Sequence, residues 1–187
     1  MARYITLSML VEKKACQSQT QLFEQCFGEA VEITEEICIE YFNEFEIDWL
    51  ADHILNEDQR EMYAVFEASA HKAYKAIKAD AREEYKAIQA DAWEAYKAIH
   101  ADALAAYKAI KADTYDACKS VDGSTWKKYE AIRESAWKEC EAIQTEEGIA
   151  CKAIDGAATK EYEAIKESAW KEYKKERALA FCGVYNA

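Results

Sequence analysis

The side chains best suited to metal binding, acid–base or nucleophilic chemistry are three histidines and seven cysteines. None of His53, His71 and His100 has a cysteine or carboxylate at the spacing typical of a zinc site. The sequence has no Cys-x-x-Cys pair, no glycine-rich phosphate loop and no nucleophile elbow. We therefore predict a protein with no catalytic residues, no cofactor and no metal, which is not an enzyme.

The cysteines are odd in number and fit no metal-binding spacing, so we expect them to stay reduced. Cys118, Cys140 and Cys151 stand where a repeat described next usually has tyrosine. We interpret them as small buried apolar side chains, with a disulfide or metal role as the alternative. A disulfide within one helix is excluded, because eleven helical residues separate neighbouring cysteines by about 16 Å.

An eleven-residue repeat runs from about Tyr63 to Gly183 without insertion or deletion. Its first position is tyrosine or cysteine, its fourth is isoleucine in most units, and its ninth is often tryptophan. At about 100° per residue, the first, fourth and eighth positions share one sector of a helix, and the ninth position flanks it. We predict that this stripe is an interaction surface. Its members are Tyr74, Ile77, Tyr85, Ile88, Trp93, Tyr96, Ile99, Tyr107, Ile110, Trp126, Tyr129, Ile132, Trp137, Tyr162, Ile165, Trp170 and Tyr173.

The repeat predicts a long helical rod over residues 57–187. Eleven residues in three turns give about 3.67 residues per turn, which favours a right-handed or nearly straight coiled coil. We favour one continuous helix from about residue 57 to 182. The alternative is a kink or a fold-back into a bundle near Gly123, Gly148 or Gly156, because each glycine costs roughly 1 kcal/mol in a helix interior.

A small head domain is predicted for residues 1–56, giving a mainly α fold with short β-strands. Two short extended stretches, 3–6 and 31–33, each lead to a threonine suited to cap a helix, Thr6 and Thr34. We expect the stretches to be strands that could pair, and helices over about 35–43 and 47–55. Its expected core is Leu22, Phe23, Cys26, Phe27, Ile37, Tyr41, Phe42, Phe45, Trp49 and Ile54, with docking on the long helix near Tyr63 and Phe66.

The negative charge is concentrated in the head. The chain carries a net charge of −12, of which residues 1–62 contribute −10 and residues 63–187 contribute −2. This balance argues against direct nucleic-acid binding. The acidic segment suggests a partner with a basic surface, unless the acids serve only solubility. The candidate contacts of this acidic head are Glu32, Glu35, Glu36, Glu40 and Glu44.

The sequence lacks a secretory signal and any run of about 18 apolar residues. We therefore expect a cytoplasmic protein without a membrane span.

The head resembles uncharacterised proteins of phages and prophages. The resemblance rests on Ile5-Thr6-Leu7-x-Met9-Leu10, Ala15-Cys16-x-x-Gln19, Leu22-Phe23, Phe27-Gly28, Val31-Glu32-Ile33-Thr34, Cys38 and Ile47-Asp48-Trp49-Leu50-Ala51. Those proteins often continue into alanine- and tyrosine-rich repeats of this period. The resemblance implies a phage context, with the protein in the host cytoplasm or the virion, and no particular activity.

Three functions are weighed. The first is a structural or protein-interaction protein that self-associates through the repeat, as a homo-oligomer, and binds a protein partner through the acidic head. The second is a phage-encoded inhibitor of a host defence nuclease, in which the acidic head mimics nucleic acid. The third and weakest is an amphipathic helix lying on a membrane surface.

Overall fold

The structure, a computed structural model, describes residues 3–118 and 123–187, with the backbone alone at 117, 118 and 123–125. Within these residues the elements in chain order are β1 (Tyr4–Thr6), α1 (Leu7–Glu12), α2 (Gln17–Phe27), β2 (Ala30–Glu32), α3 (Glu35–Tyr41), α4 (Ile47–Ile54), α5 (Glu57–Cys118) and α6 (Gly123–Asn186). The predicted mainly α fold with a small strand-containing head is confirmed.

The chain divides into two compact units. Unit 1 comprises Met1–Asp80 and Ala164–Ala187, and unit 2 comprises Ala81–Glu163. The head predicted for residues 1–56 lies inside unit 1, whereas the rod predicted for residues 57–187 is shared between the two units. The C-terminal end of α6 thus belongs with the head.

Short polar side chains set the helix starts in unit 1. The hydroxyl of Thr6 accepts from the backbone N–H of Met9 at 3.2 Å, and that of Thr34 accepts from Ile37 at 3.3 Å. Both caps were predicted from the sequence. At the start of α5, Asn56 and Gln59 exchange side-chain and backbone hydrogen bonds at 2.9 and 3.1 Å, which is a capping box.

The two strands pair as the sequence suggested. β1 and β2 run antiparallel, with Ile5 opposite Val31. Ile5 is 2% exposed, so the paired strands carry one face of the head's core. The helix before β2 ends at Gly28, whose φ of 69° lies in the left-handed region that favours glycine.

The core of unit 1 joins the head to the end of α6. Its buried members are Ile5, Leu10, Phe23, Ile33, Cys38, Ala51, Leu55, Tyr63, Ala178, Phe181, Cys182, Val184 and Tyr185. Of the predicted core, Phe23 is buried and the others are half-buried. Tyr63 docks as expected, whereas Phe66 is 53% exposed.

Hydrogen bonds from the last residues of α6 fasten it to the strands. Asn186 donates to the carbonyl of Ile33 at 2.8 Å, and the hydroxyl of Tyr185 donates to the carbonyl of Tyr4 at 2.9 Å. Gln59 at the start of α5 donates to the carbonyl of Val184 at 2.9 Å. The head is therefore completed by the far end of the chain.

The prediction of one continuous helix is wrong. Inside unit 2, residues of α5 pair with residues of α6 in reverse order, so the two helices run antiparallel. The alternative of a fold-back near Gly123 agrees with α5 ending at Cys118 and α6 beginning at Gly123. Residues 119–122 lie outside the described residues. Gly148 and Gly156 lie inside α6 and end no helix.

No helix in the described part of the chain combines the length and the apolar character needed to cross a membrane.

Candidate interaction surfaces

The first positions of the repeat form the seam between α5 and α6 in unit 2. The rings of Tyr85 and Tyr162 stack with centroids 5.7 Å apart, and Tyr107 meets Trp137 edge to face at 5.1 Å. Nearer the start of α6, Tyr115 contacts Tyr129 at 6.1 Å. Residues farther along α5 thus contact residues farther back along α6, and first-position rings meet both first-position and ninth-position rings.

Counting whole repeats from the Tyr85–Tyr162 pair places cysteines at the levels of tyrosines. Tyr96 falls at the level of Cys151 and Tyr107 at the level of Cys140, while the ring of Tyr107 itself packs on Trp137. Cys140 is 3% exposed, which agrees with a small apolar side chain opposite a large ring. The six cysteines with described side chains are free thiols, and the side chain of Cys118 is not among them.

A polar cluster interrupts the apolar seam of unit 2. The hydroxyl of Tyr85 donates to the carboxylate of Asp155 at 3.3 Å, and Gln89 donates to both of these side chains. Gln89 and Asp155 occupy the fifth position of the repeat, about 40° from the first position on a helical wheel. We did not assign them to the stripe, although that angle places them at the seam.

The ninth and second positions of the repeat form one side of unit 2, which we call the tryptophan face. It consists of the aromatic residues Trp93, Tyr115, Trp126 and Trp137. Its α5 edge carries Lys86, Lys97 and Lys108, and its α6 edge carries Glu130, Glu141, Lys152 and Glu163. The four aromatic side chains are 53%, 45%, 46% and 45% exposed. A groove of about 310 Å³ lined by Trp93, Gln89, Cys151, Lys152 and Asp155 opens here, so both helices contribute to this side.

The fourth positions form the opposite flank of the seam, which we call the isoleucine face. Ile88 and Ile99 are half-buried, whereas Ile110, Ile132 and Ile154 are 38%, 47% and 46% exposed. The predicted stripe of unit 2 is therefore divided. Its tyrosines and Trp137 meet the other helix of the same chain, while its tryptophans and several of its isoleucines stay partly open to solvent.

In unit 1 the stripe joins α5 to the C-terminal part of α6. Tyr74 stacks on Tyr173 at 5.6 Å and contacts Trp170 at 5.4 Å. Ile165 is half-buried, and Ile77 is 45% exposed. A groove of about 540 Å³ lies between the two helices, lined mainly by apolar side chains that include Met62, Phe66, Leu179 and Val184.

A buried cation, Arg177, lies where head, α5 and α6 meet within unit 1. Its guanidinium forms ion pairs with Asp48 of α4 and, at 3.6 Å, with Glu67 of α5. It also lies over the ring of Tyr173 at 5.2 Å. Burial lowers the pKa of Arg177, and burial followed by the charge of Glu67 raises the pKa of Tyr173. Arg177 sits at the same fifth repeat position as Gln89, and we did not predict its role.

The five glutamates predicted for the acidic head are all exposed. Glu32 lies on β2, Glu35, Glu36 and Glu40 lie on α3, and Glu44 follows α3. The pKa of Glu36 is lowered, first by a hydrogen bond from its own backbone N–H and then by the hydroxyl of Thr34. Their exposure makes these carboxylates accessible to a partner.

The histidines make ring contacts. His53 stacks on Trp49 at 4.4 Å, His71 lies 5.6 Å from Tyr173, and His100 lies 5.9 Å from Tyr96. Across residues 3–118 and 123–187, no group of three or more histidine, cysteine or acidic side chains is placed to hold a metal ion.

Comparisons with protein-family models, curated proteins and solved structures gave no match. The resemblance to phage and prophage proteins therefore stays a prediction.

Proposed function

We propose that this chain is a non-enzymatic protein-interaction protein of phage type, which self-associates through the flanks of its repeat helices and binds a protein partner through its acidic head. The observation that carries the proposal is the tryptophan face of unit 2. There Trp93, Trp126 and Trp137 remain about half exposed after α5 and α6 have paired. Exposed aromatic side chains gathered on one side of a protein typically mark an interaction site.

The mass of the full chain in solution tests self-association. Light scattering and sedimentation equilibrium from 1 to about 50 µM should show a reversible oligomer, since interfaces of standard size commonly reach this affinity range. A protein that stays monomeric at the highest concentration would contradict this part of the proposal.

Charge neutralisation tests the acidic head. A triple variant, Glu35→Gln, Glu36→Gln and Glu40→Gln, should lose most of the binding to a basic partner captured by the full chain. The matched control replaces three acids of α5, Asp91, Asp102 and Asp113, by asparagine. Equal binding by both triple variants would count against the head. The whole chain is needed because the end of α6 completes the head's core.

The runner-up proposal is inhibition of a host defence nuclease by acidic mimicry. The five exposed glutamates from β2 to just after α3 favour it, because a dense negative surface can occupy a nucleic-acid channel. The same triple variant should then relieve inhibition of the nuclease in a cleavage assay, and unchanged potency would reject this mode of action. In either case the protein would act in the host cytoplasm or the virion.

Lying on a membrane surface remains the weakest proposal. Vesicle flotation with anionic lipid tests it, and absence of co-flotation would end it.

A further inference from the structure

We propose that a second copy of this chain docks on the tryptophan face of unit 2, with α5 of each copy lying over α6 of the other. This inference rests on the self-association proposed above and names its partner, its face and its orientation.

The exposed area on this face suits a dimer. A tryptophan or tyrosine side chain buries about 150–250 Å² when fully covered, so half of that area from four aromatic side chains on each copy gives on the order of 600–1,000 Å². The lysine and glutamate stems along both edges add to it. The total approaches the ~1,000 Å² that a specific interface needs.

Charge distinguishes the two edges of the face. The second position of the repeat is lysine in α5, at Lys86, Lys97 and Lys108. In α6 the same position is glutamate at Glu130, Glu141 and Glu163, with Lys152 as the exception. One edge of the tryptophan face is therefore positive and the other is mostly negative.

Ion pairs within single helices do not explain why the second position changes from lysine in α5 to glutamate in α6. Lys86 pairs with Glu83 at 2.7 Å, and Lys97 pairs with Glu94, each three residues earlier in α5. Such pairs need only opposite charges three or four residues apart, so both helices could have used the same arrangement. The reversal between α5 and α6 matches a second copy whose edges face edges of unlike charge.

The charges select one of two face-to-face arrangements. A two-fold axis perpendicular to the helices and parallel to the tryptophan face would place α5 over α5, and thus lysine over lysine. A two-fold axis parallel to the helices places α5 over α6, and thus lysine over glutamate. Opposed edges of unlike charge favour the second arrangement.

The register identifies the facing residues. Lys108 follows Tyr107 and Glu141 follows Cys140, which lie at about the same level when whole repeats are counted from the Tyr85–Tyr162 pair. A parallel two-fold axis keeps every residue at its own level along the helices. Lys108 of each copy therefore meets Glu141 of the other, and Lys97 meets Lys152 as the mismatched pair.

Charge-reversal variants of the full chain test this arrangement by sedimentation equilibrium. Lys108→Glu and Glu141→Lys should each weaken the dimer about tenfold, because each converts two facing ion pairs into repulsions. An equimolar mixture of the two variants should regain most of the lost affinity, since both pairs are complementary in the mixed dimer. A purely intramolecular role for either residue would not be rescued by mixing.

Matched controls carry the same charge changes away from the face. Lys160→Glu and Asp102→Lys alter the outer surface of unit 2 and should change affinity by less than about twofold. Lys152→Glu should tighten the dimer about threefold or more, because it removes the mismatch. Circular dichroism checks that every variant keeps its helix content.

Four results would overturn the inference. Loss of rescue on mixing, or a weaker dimer with Lys152→Glu, rejects the parallel orientation. A dimer unaffected by the edge variants but dissociated by Ile132→Glu moves the contact to the isoleucine face and leaves the proposed function standing. A wild-type chain that is monomeric at about 50 µM rejects this inference together with self-association.

Discussion

Arg177, near the end of α6, donates from Nε to the hydroxyl of Tyr63 in the second turn of α5, across 3.3 Å. The two residues are 114 positions apart in the chain, and both are buried in unit 1. The bond belongs to the cluster in which Arg177 also pairs with Asp48 and Glu67. A single cation thus links the head to both long helices.

Removing this cation should destabilise unit 1. Arg177→Met leaves Asp48 and Glu67 without their partner, and we expect the free energy of unfolding to fall by about 2–3 kcal/mol. The carboxylates are partly exposed, which keeps the loss below that of a fully buried pair. Urea unfolding measures the difference. The control, Lys171→Met, breaks the exposed pair with Glu167 and should cost under about 0.5 kcal/mol. Equal stability of both variants would contradict the role of Arg177.

The end of α6 should be as important for stability as the head itself. Phe181 is 1% exposed, so Phe181→Ala should cost about 3–5 kcal/mol through lost burial and a residual cavity. Phe66→Ala makes the same chemical change in the same unit at a side chain that is 53% exposed, and should cost under about 1 kcal/mol. Thermal or urea unfolding of both variants provides the measurement. A small effect at Phe181 would mean that the head folds without α6.

Much of the head could be predicted from sequence because its signals are local. Thr6 and Thr34 each follow an extended apolar stretch, and that arrangement indicates a strand followed by a capped helix. The contribution of α6 could not be foreseen in the same way. Phe181 and Val184 continue the eleven-residue pattern, so nothing in their spacing distinguishes contact with the head from contact with another helix.

The antiparallel pairing of the repeat was hidden for a related reason. The register of Tyr and Ile continues unchanged from α5 into α6, so the reversal of direction leaves no trace in the period. The replacement of tyrosine by cysteine at some first positions of the repeat carried part of this information. Cys140 was predicted to be buried, and it is 3% exposed. That it shares a level with Tyr107 could not be predicted, because the sequence does not show that the two helices pair antiparallel.

Two glycines should respond in opposite directions to alanine. Gly156 lies inside α6 with open space where a Cβ would stand, so Gly156→Ala should stabilise the protein by about 0.5–1 kcal/mol. Gly28 has a φ of 69°, so Gly28→Ala should destabilise it by about 1 kcal/mol or more. Chemical unfolding of the pair checks the signs. A loss of stability at Gly156 would mean that the helix is not formed there.

Alkaline pH should weaken unit 1. Burial raises the pKa of the Cys38 thiol to about 12 from an ordinary value near 9.0. The folded state therefore keeps a proton that the unfolded state has lost, and the stabilising effect is complete below about pH 9. Between about pH 9 and 12 the free energy of unfolding should fall by about 1.4 kcal/mol per pH unit for each such group.

Comparison with Cys38→Ala isolates this contribution. Its stability should decline less steeply over the same pH range, although the buried hydroxyl of Tyr63, whose pKa burial also raises, acts in the same direction. Urea midpoints at pH 8, 9, 10 and 11 measure both slopes. Identical slopes in the two proteins would show that Cys38 does not retain its proton on folding.

The alignment of Cys140 with Tyr107 has a consequence for how a repeat of this kind can change in length. An extra eleven-residue unit inserted into only the α5 part of unit 2 would preserve every helical face. It would nevertheless place each tyrosine of α5 at the level of a different residue of α6, so that tyrosine would share a level with tyrosine where it now shares one with cysteine. Viable insertions or deletions within this unit should therefore occur in pairs, one in each helix. Repeats of nearly identical sequence are therefore not interchangeable, because the position of each small residue determines which repeat of the other helix can lie at its level.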